Sequence, residues 1–248
     1  MINQRATLMI VHIPKAAGTT LRWVMDRQYP GDRIYKIKSD IRGDQERLHE
    51  MDGVKKRQLR AVFGHYCYGL HEALAPQQPY AYLTMLRDPV RRVVSLYSYT
   101  RTESPAHYLA RAAREMTLYD FVTSGVTRHS DNGMVRQLSG YDEFTMRDGR
   151  QIPYNDGKVP FRGVTRGHFE AAKKNLATFV AVGFAGEFDA FLALMRTLFA
   201  WRIPHYQNKN VSRERIEPDG REIKAITELN QLDYELYHWA REKFGNGN

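Results

Sequence analysis

With 248 residues, 42% apolar and 12% aromatic, the chain is too apolar for a disordered protein and long enough to bury one substantial core. A net charge of +9 favours anionic partners such as a nucleotide, an acidic polysaccharide, nucleic acid or anionic lipid. The lone cysteine, Cys67, excludes an intramolecular disulfide and fits a reducing compartment, and no stretch reaches the roughly 18–20 apolar residues of a membrane span.

The first informative stretch is Leu8 to Leu21. An apolar, β-branched run from Leu8 to Val11 stops at Pro14, and Lys15, Ala16, Ala17, Gly18, Thr19 and Thr20 then lead into an amphipathic segment. This predicts a buried strand, a tight turn and a helix running from Thr19 to about Arg27. Such a turn offers an anion free backbone N–H groups, the positive end of a helix dipole, an ammonium and two hydroxyls. It is not a Walker A loop, because Lys15 precedes Gly18 by three residues instead of following a glycine directly.

Residues 33–58 read as a polar connection of low functional content. A second strand is expected over Leu59 to Phe63, ending in Gly64-His65, which puts an imidazole at the carboxyl edge of a sheet where open α/β folds bind ligands. Ala81 to Leu86 predicts a third strand, stopped by Arg87-Asp88-Pro89. Pro89 suits a first helical turn, and Val90, Val93, Val94 and Tyr97 form one apolar face, with Arg91, Arg92 and Ser95 largely on others. Residues 103–130 hold short helical patches. Two turn signals between 141 and 163, Asp148-Gly149 and Asp156-Gly157, predict a hairpin or lid-like insertion in which acceptor specificity is expected to reside. A helix over Thr165 to Phe179, a strand over Val180 to Gly183, a helix over Glu187 to Trp201 and one closing helix over Ile223 to Phe244 complete the pattern. Without repeats or a low-complexity linker, one domain spanning 1–248 is expected, an α/β fold with a central parallel sheet flanked by helices.

Two of these motifs together resemble sulfotransferases that use 3'-phosphoadenosine 5'-phosphosulfate (PAPS). The loop Pro14-Lys15-Ala16-Ala17-Gly18-Thr19-Thr20 is similar to their 5'-phosphosulfate loop, "PK-small-small-[GS]-[TS]-[TS]", and Arg87 to Tyr97 resembles their 3'-phosphate motif. The likeness is to the carbohydrate branch, heparan sulfate 2-O-sulfotransferase-like. It runs from about residue 8 to 244 and is weakest over 33–58 and 141–163. Animal relatives usually carry an N-terminal membrane anchor, so a soluble, cytoplasmic, bacterial-type member is expected.

The resemblance implies roles. Lys15 would support the leaving phosphate, with Ala16, Ala17, Gly18, Thr19 and Thr20 around the 5'-phosphosulfate. Arg87 and Ser95 would grip the 3'-phosphate. His65 would take the proton from the attacking hydroxyl; an imidazole near its ordinary pKa of about 6.5 can do so at neutral pH. Asp131 to Gly140 resembles the family's "N-x-x-x-R-x-L-x-G" segment, making Arg136 and Gln137 candidates for acceptor contact alongside His71. His205 to Arg213 matches an "N-x-[ST]-x-R" stretch, so Arg213 would approach the nucleotide. The expected chemistry is direct in-line transfer from PAPS to a carbohydrate hydroxyl, an acidic glycan being one candidate acceptor, releasing adenosine 3',5'-bisphosphate. No metal and no nucleic-acid partner are expected: His71-Glu72-Ala73-Leu74-Ala75 lacks the second histidine of a zinc-protease helix, and no other zinc-ligand spacing occurs. A P-loop-like nucleotide kinase or NTPase, and a non-enzymatic polyanion-binding module, remain as alternatives.

Overall fold

The computed structural model describes all residues except 1–4, 39, 105, 106, 108, 141–162, 204, 207–215 and 246–248. The predicted hairpin insertion therefore lies outside the described residues, as does Arg213.

Five strands form one parallel sheet: β1 (Thr7–Val11), β2 (Ile34–Ile37), β3 (Ala61–Gly64), β4 (Tyr80–Leu86) and β5 (Ala181–Phe184), in the order β2-β3-β1-β4-β5. β1 lies at the centre, with Val11 level with both Gly64 and Thr84, and all five of its residues are buried. Its unbroken apolar run is what a strand covered on both faces requires. The chain winds from β1 out to the β2 edge, then returns to the other side through β4 and β5. This places the topological switch point between β1 and β4, where ligands bind in sheets of this kind.

β2 was not among the expected strands. It is a four-residue edge strand in which only Ile34 and Ile37 are buried, and α2 (Ile41–Glu50), which follows it, buries only Leu48. A short edge pairs on one side and packs little, so its apolar signal is faint. α1 (Gly18–Met25) follows β1, the short helix α3 (Gly53–Gln58) precedes β3, and α4 (Pro89–Thr102) follows β4. The second half adds α5 (Ala110–Glu115), α6 (Leu118–Thr123), α7 (Gly133–Ser139), α8 (Arg166–Leu176) and α9 (Phe188–Phe199).

The expected single closing helix is two helices, α10 (Gly220–Leu229) and α11 (Gln231–Phe244), broken at Asn230. The Asn230 amide, fully buried, donates to the Ser130 and Ile226 carbonyls at 2.7 and 2.8 Å while its oxygen accepts from Asn132 N at 3.1 Å. That set of bonds holds the residue outside the helical continuation. Arg92, expected largely off the apolar face of α4, is fully buried and pairs with fully buried Asp233 at 3.1 Å. Asp233 also accepts from the N–H groups of Met134 and Val135 at 3.0 and 2.8 Å, and Arg92 donates to the His129 carbonyl at 2.8 Å. α4, α7 and α11 are thus pinned to one polar knot. Among the described residues no helix is long and apolar enough to cross a membrane.

Breaking this pair leaves an uncompensated buried charge, whereas an exposed pair contributes little. Asp233→Ala is expected to cost about 3–5 kcal/mol in urea unfolding. Glu46→Ala, which removes the exposed i,i+4 partner of Arg42, is expected to cost under about 0.5 kcal/mol.

Candidate functional site

The carboxyl ends of all five strands open into one cleft of about 1320 Å³. Lys38 borders it after β2, His65 after β3, Lys15 after β1, Arg87 after β4 and Gly186 after β5. One wall is therefore supplied by the loop that follows each strand.

The loop after β1 is bent through two left-handed residues, Lys15 (φ 68°) and Ala17 (φ 61°), on either side of Ala16. Non-glycine residues adopt this conformation at a cost of order 1–3 kcal/mol, and such curled backbones turn successive N–H groups toward one point. α1 then starts at Gly18 with Ala17 as its N-cap, so no side chain caps its first-turn N–H groups. Gly18 is required there because a Cβ would lie 1.7 Å from the His12 Nε2. Thr19 is exposed and Thr20 buried, and both line the cleft.

Arg87 bridges the switch point: its Nη1 donates to the Lys15 carbonyl at 2.9 Å. Two turns into α4, Ser95 faces the same cleft, and Tyr99 follows one turn later. The Lys15 ammonium sits 3.6 Å from the centre of the Tyr99 ring. Burial first, then the neighbouring Arg87 charge, lowers the Lys15 pKa to about 8, with Glu103 opposing.

Gly64 ends β3 where a Cβ would lie 2.5 Å from both Cβ and O of Ile37 on the neighbouring strand. His65 follows, with Nδ1 2.8 Å from the His12 carbonyl. A carbonyl only accepts, so Nδ1 carries the proton and Nε2 keeps its lone pair. The ring stacks on His12 with centroids 4.2 Å apart. Burial holds His65 below the ordinary imidazole value, partly offset by the bond to His12, with Arg128 and Lys15 adding to the lowering. Its resting form at neutral pH is the free base.

Gln137 lines the cleft and donates to the His12 and Tyr66 carbonyls, each at 3.3 Å, while its Oε1 is buried without a partner. The other two acceptor candidates lie elsewhere. Arg136 is buried against Asp131 at 2.9 Å and does not border the cleft. His71 also stays outside it, with Nδ1 3.1 Å from the Tyr82 hydroxyl and its ring 4.3 Å from that of Tyr80. Residues that the sequence reading passed over also reach the cleft: Arg22, Lys36, Lys38, Tyr99, Arg128 and His129. For Lys36 and Lys38, the β-favouring Ile34-Tyr35-Lys36-Ile37 was an available signal; Arg128 and His129 stand in a single 3-10 turn, Arg128–Ser130, too short to show a periodicity. Among the described residues, no group of three or more His, Cys, Asp and Glu could hold a metal ion.

A family model described as "Sulfotransferase family" matches residues 1–240. Comparison with curated proteins gave no match.

The charge on Lys15 makes anion binding here pH-dependent. Lys15 is cationic below about 8 and loses its proton above it, so the loop attracts anions on the acid side of that value. Inorganic sulfate, whose own charge is constant in this range, is expected to bind about tenfold more weakly at pH 9 than at pH 7 by calorimetry. Lys15→Met is expected to bind weakly at both.

Proposed function

We propose, since this chain belongs to the sulfotransferase family and is a sulfuryl-transferring enzyme, that its donor is PAPS and its acceptor a carbohydrate hydroxyl. The observation that carries this reading is the joining of two cationic elements across the switch point, the Lys15 loop and Arg87, in one cleft with an imidazole whose Nε2 is unprotonated.

The donor set fits a nucleotide with phosphates at both ends. The uncapped α1 start, the Lys15 ammonium and the Thr19 and Thr20 hydroxyls suit the 5'-phosphosulfate. The Arg87 guanidinium, whose Nη1 is held by the Lys15 carbonyl, still offers donors to a 3'-phosphate, and Ser95 adds a hydroxyl.

In the proposed step the acceptor oxygen forms a bond to sulfur as the bond from sulfur to the 5'-phosphate oxygen breaks. His65 Nε2 takes the hydroxyl proton. Lys15 and the loop N–H groups stabilise the charge that develops on the departing adenosine 3',5'-bisphosphate. Transfer of this kind asks the protein for positioning and charge stabilisation, with no covalent intermediate on the enzyme and no metal. The Gly64-His65 step supports the carbohydrate 2-O branch, and the lone Cys67 supports a reducing, cytoplasmic setting.

Adenosine 3',5'-bisphosphate is expected to raise the melting temperature, and ATP with Mg²⁺ to do so far less; the reverse order would replace this reading with a kinase or NTPase. His65→Ala is expected to lower turnover by about 10²–10⁴ while leaving the bisphosphate affinity within a few-fold. Near-normal turnover would remove His65 from the mechanism. Arg87→Ala should weaken the 3',5'-bisphosphate more than a 5'-monophosphate, and equal losses would contradict the 3'-phosphate role.

A further inference from the structure

Lys15 is held at both ends by the segment that leaves β4. Its main-chain carbonyl accepts the hydrogen bond from Arg87 Nη1 at 2.9 Å, and its ammonium lies 3.6 Å from the centre of the Tyr99 ring. Arg87 stands just before α4. Residues 91, 95, 99 and 103 then recur at four-residue spacing, which puts them in one row along that helix and its C-cap. Arg91, Ser95 and Tyr99 of this row border the cleft. At the end of the row the Tyr99 hydroxyl donates to the Glu103 carboxylate, which ties down the edge of the ring whose face meets the ammonium.

The kind of partner matters. A carboxylate touching Lys15 would hold the ammonium firmly, but it would cancel the charge and repel an arriving anion. A ring attracts a cation through its quadrupole and leaves the net charge in place, at a strength of about 2- to 30-fold in equilibrium, which an anion can overcome. Glu103 acts on the ammonium only through space, because its carboxylate is engaged by the Tyr99 hydroxyl.

We infer that Tyr99 is a positioning residue for Lys15: its ring holds the ammonium inside the cleft, charged and free of a direct acidic partner, where the anionic end of the donor arrives. The inference rests on the proposed function, in which that anion is the 5'-phosphosulfate. Nothing in the loop motif or in the Arg87 to Ser95 stretch marks this residue, since Tyr99 lies one turn beyond both.

The charges around the ammonium leave Lys15 as the group whose titration the ring should govern. Arg87 stays cationic although burial lowers it. His12 and His65, at the ends of β1 and β3, are held below the ordinary imidazole value by burial and are uncharged above pH 7. The Tyr99 hydroxyl is pushed up to about 12 by burial and by Glu103. His107 stands on the far side of the argument's geometry only through Tyr99, with ring centroids 6.5 Å apart.

The test is calorimetric binding of inorganic sulfate to the full chain between about pH 6.5 and 9.5. In wild type the affinity should begin to fall near pH 8, as Lys15 loses its proton. In Tyr99→Leu the fall should begin about one pH unit lower, with sulfate about fivefold weaker at pH 8. Tyr99→Phe, which keeps the ring, should restore the wild-type profile to within about twofold, and in a Lys15→Met background Tyr99→Leu should change nothing further. Should Tyr99→Leu fail to fold, Tyr99→Gln carries the same expectation. An unmoved profile in the variant without a ring, a Phe variant as impaired as the Leu one, or an equal effect of Tyr99→Leu without Lys15 would each overturn the assignment. Sulfate binding with the expected profiles but no binding of adenosine 3',5'-bisphosphate would leave Tyr99 in this role and overturn the donor reading instead.

Discussion

The hydrogen bond from Arg87 to the Lys15 carbonyl is the constraint on which the cleft depends. It spans the neighbouring strands β1 and β4, joining the loops that follow their carboxyl ends. The loop it holds contains two left-handed non-glycine residues, which a free peptide would relax. Arg87 restrains it from one side and the His12 ring, packed where any Cβ on Gly18 would fall, restrains it from the other. The same contact sets the electrostatics. Burial first, and then the neighbouring Arg87 charge, disfavour the Lys15 ammonium, which is why its pKa is lowered and why an incoming anion is favoured.

β1 also fixes the imidazole. The His12 carbonyl, one residue past the end of β1, receives the N–H of His65 and the amide of Gln137. Loop and base are thus referenced to one strand. Behind them the Arg92 and Asp233 knot holds α4, which carries Ser95 and Tyr99, against α7, which carries Gln137. A buried ion pair is weak evidence for stability in itself, but here each partner also bonds backbone groups of a second element, so the knot fixes registry between helices.

How much of this was legible follows from how each feature is encoded. The β1, β3 and β4 strands and the start of α4 were read from apolar runs and from Pro89, because buried central strands and a helix N1 proline are specified locally. The loop motif and the Gly-His step were legible for the same reason: Gly18 and Gly64 each answer a close approach that only glycine permits. Fates decided by tertiary packing were not. Arg91 and Arg92 are adjacent, yet one is exposed and the other fully buried, and the difference is made by Asp233, 141 residues away. Arg136 and Gln137 are likewise adjacent, and only Gln137 turns to the cleft. Asn230 breaks a helix whose apolar spacing runs through it unbroken, because its amide is claimed by residues a hundred positions earlier.

The position of the cations along the sheet has a consequence for how such a site can vary. β1 and β4 are interior strands, paired on both sides, and in the proposed function the residues after them serve the donor; a change there disturbs two neighbours and the central core. β2 pairs only with β3, and α2 buries a single side chain, so the residues at that end are the least coupled to the rest. In the proposed function, donor recognition therefore occupies the constrained half of the sheet. Exchanging Lys38 or Gln45 for other side chains alters that end of the cleft without touching the Lys15 loop, the Arg87 bridge or the His65 bond to β1. A sheet read from β4 to β2 thus grades from the part most tied to the central core to the part least tied to it.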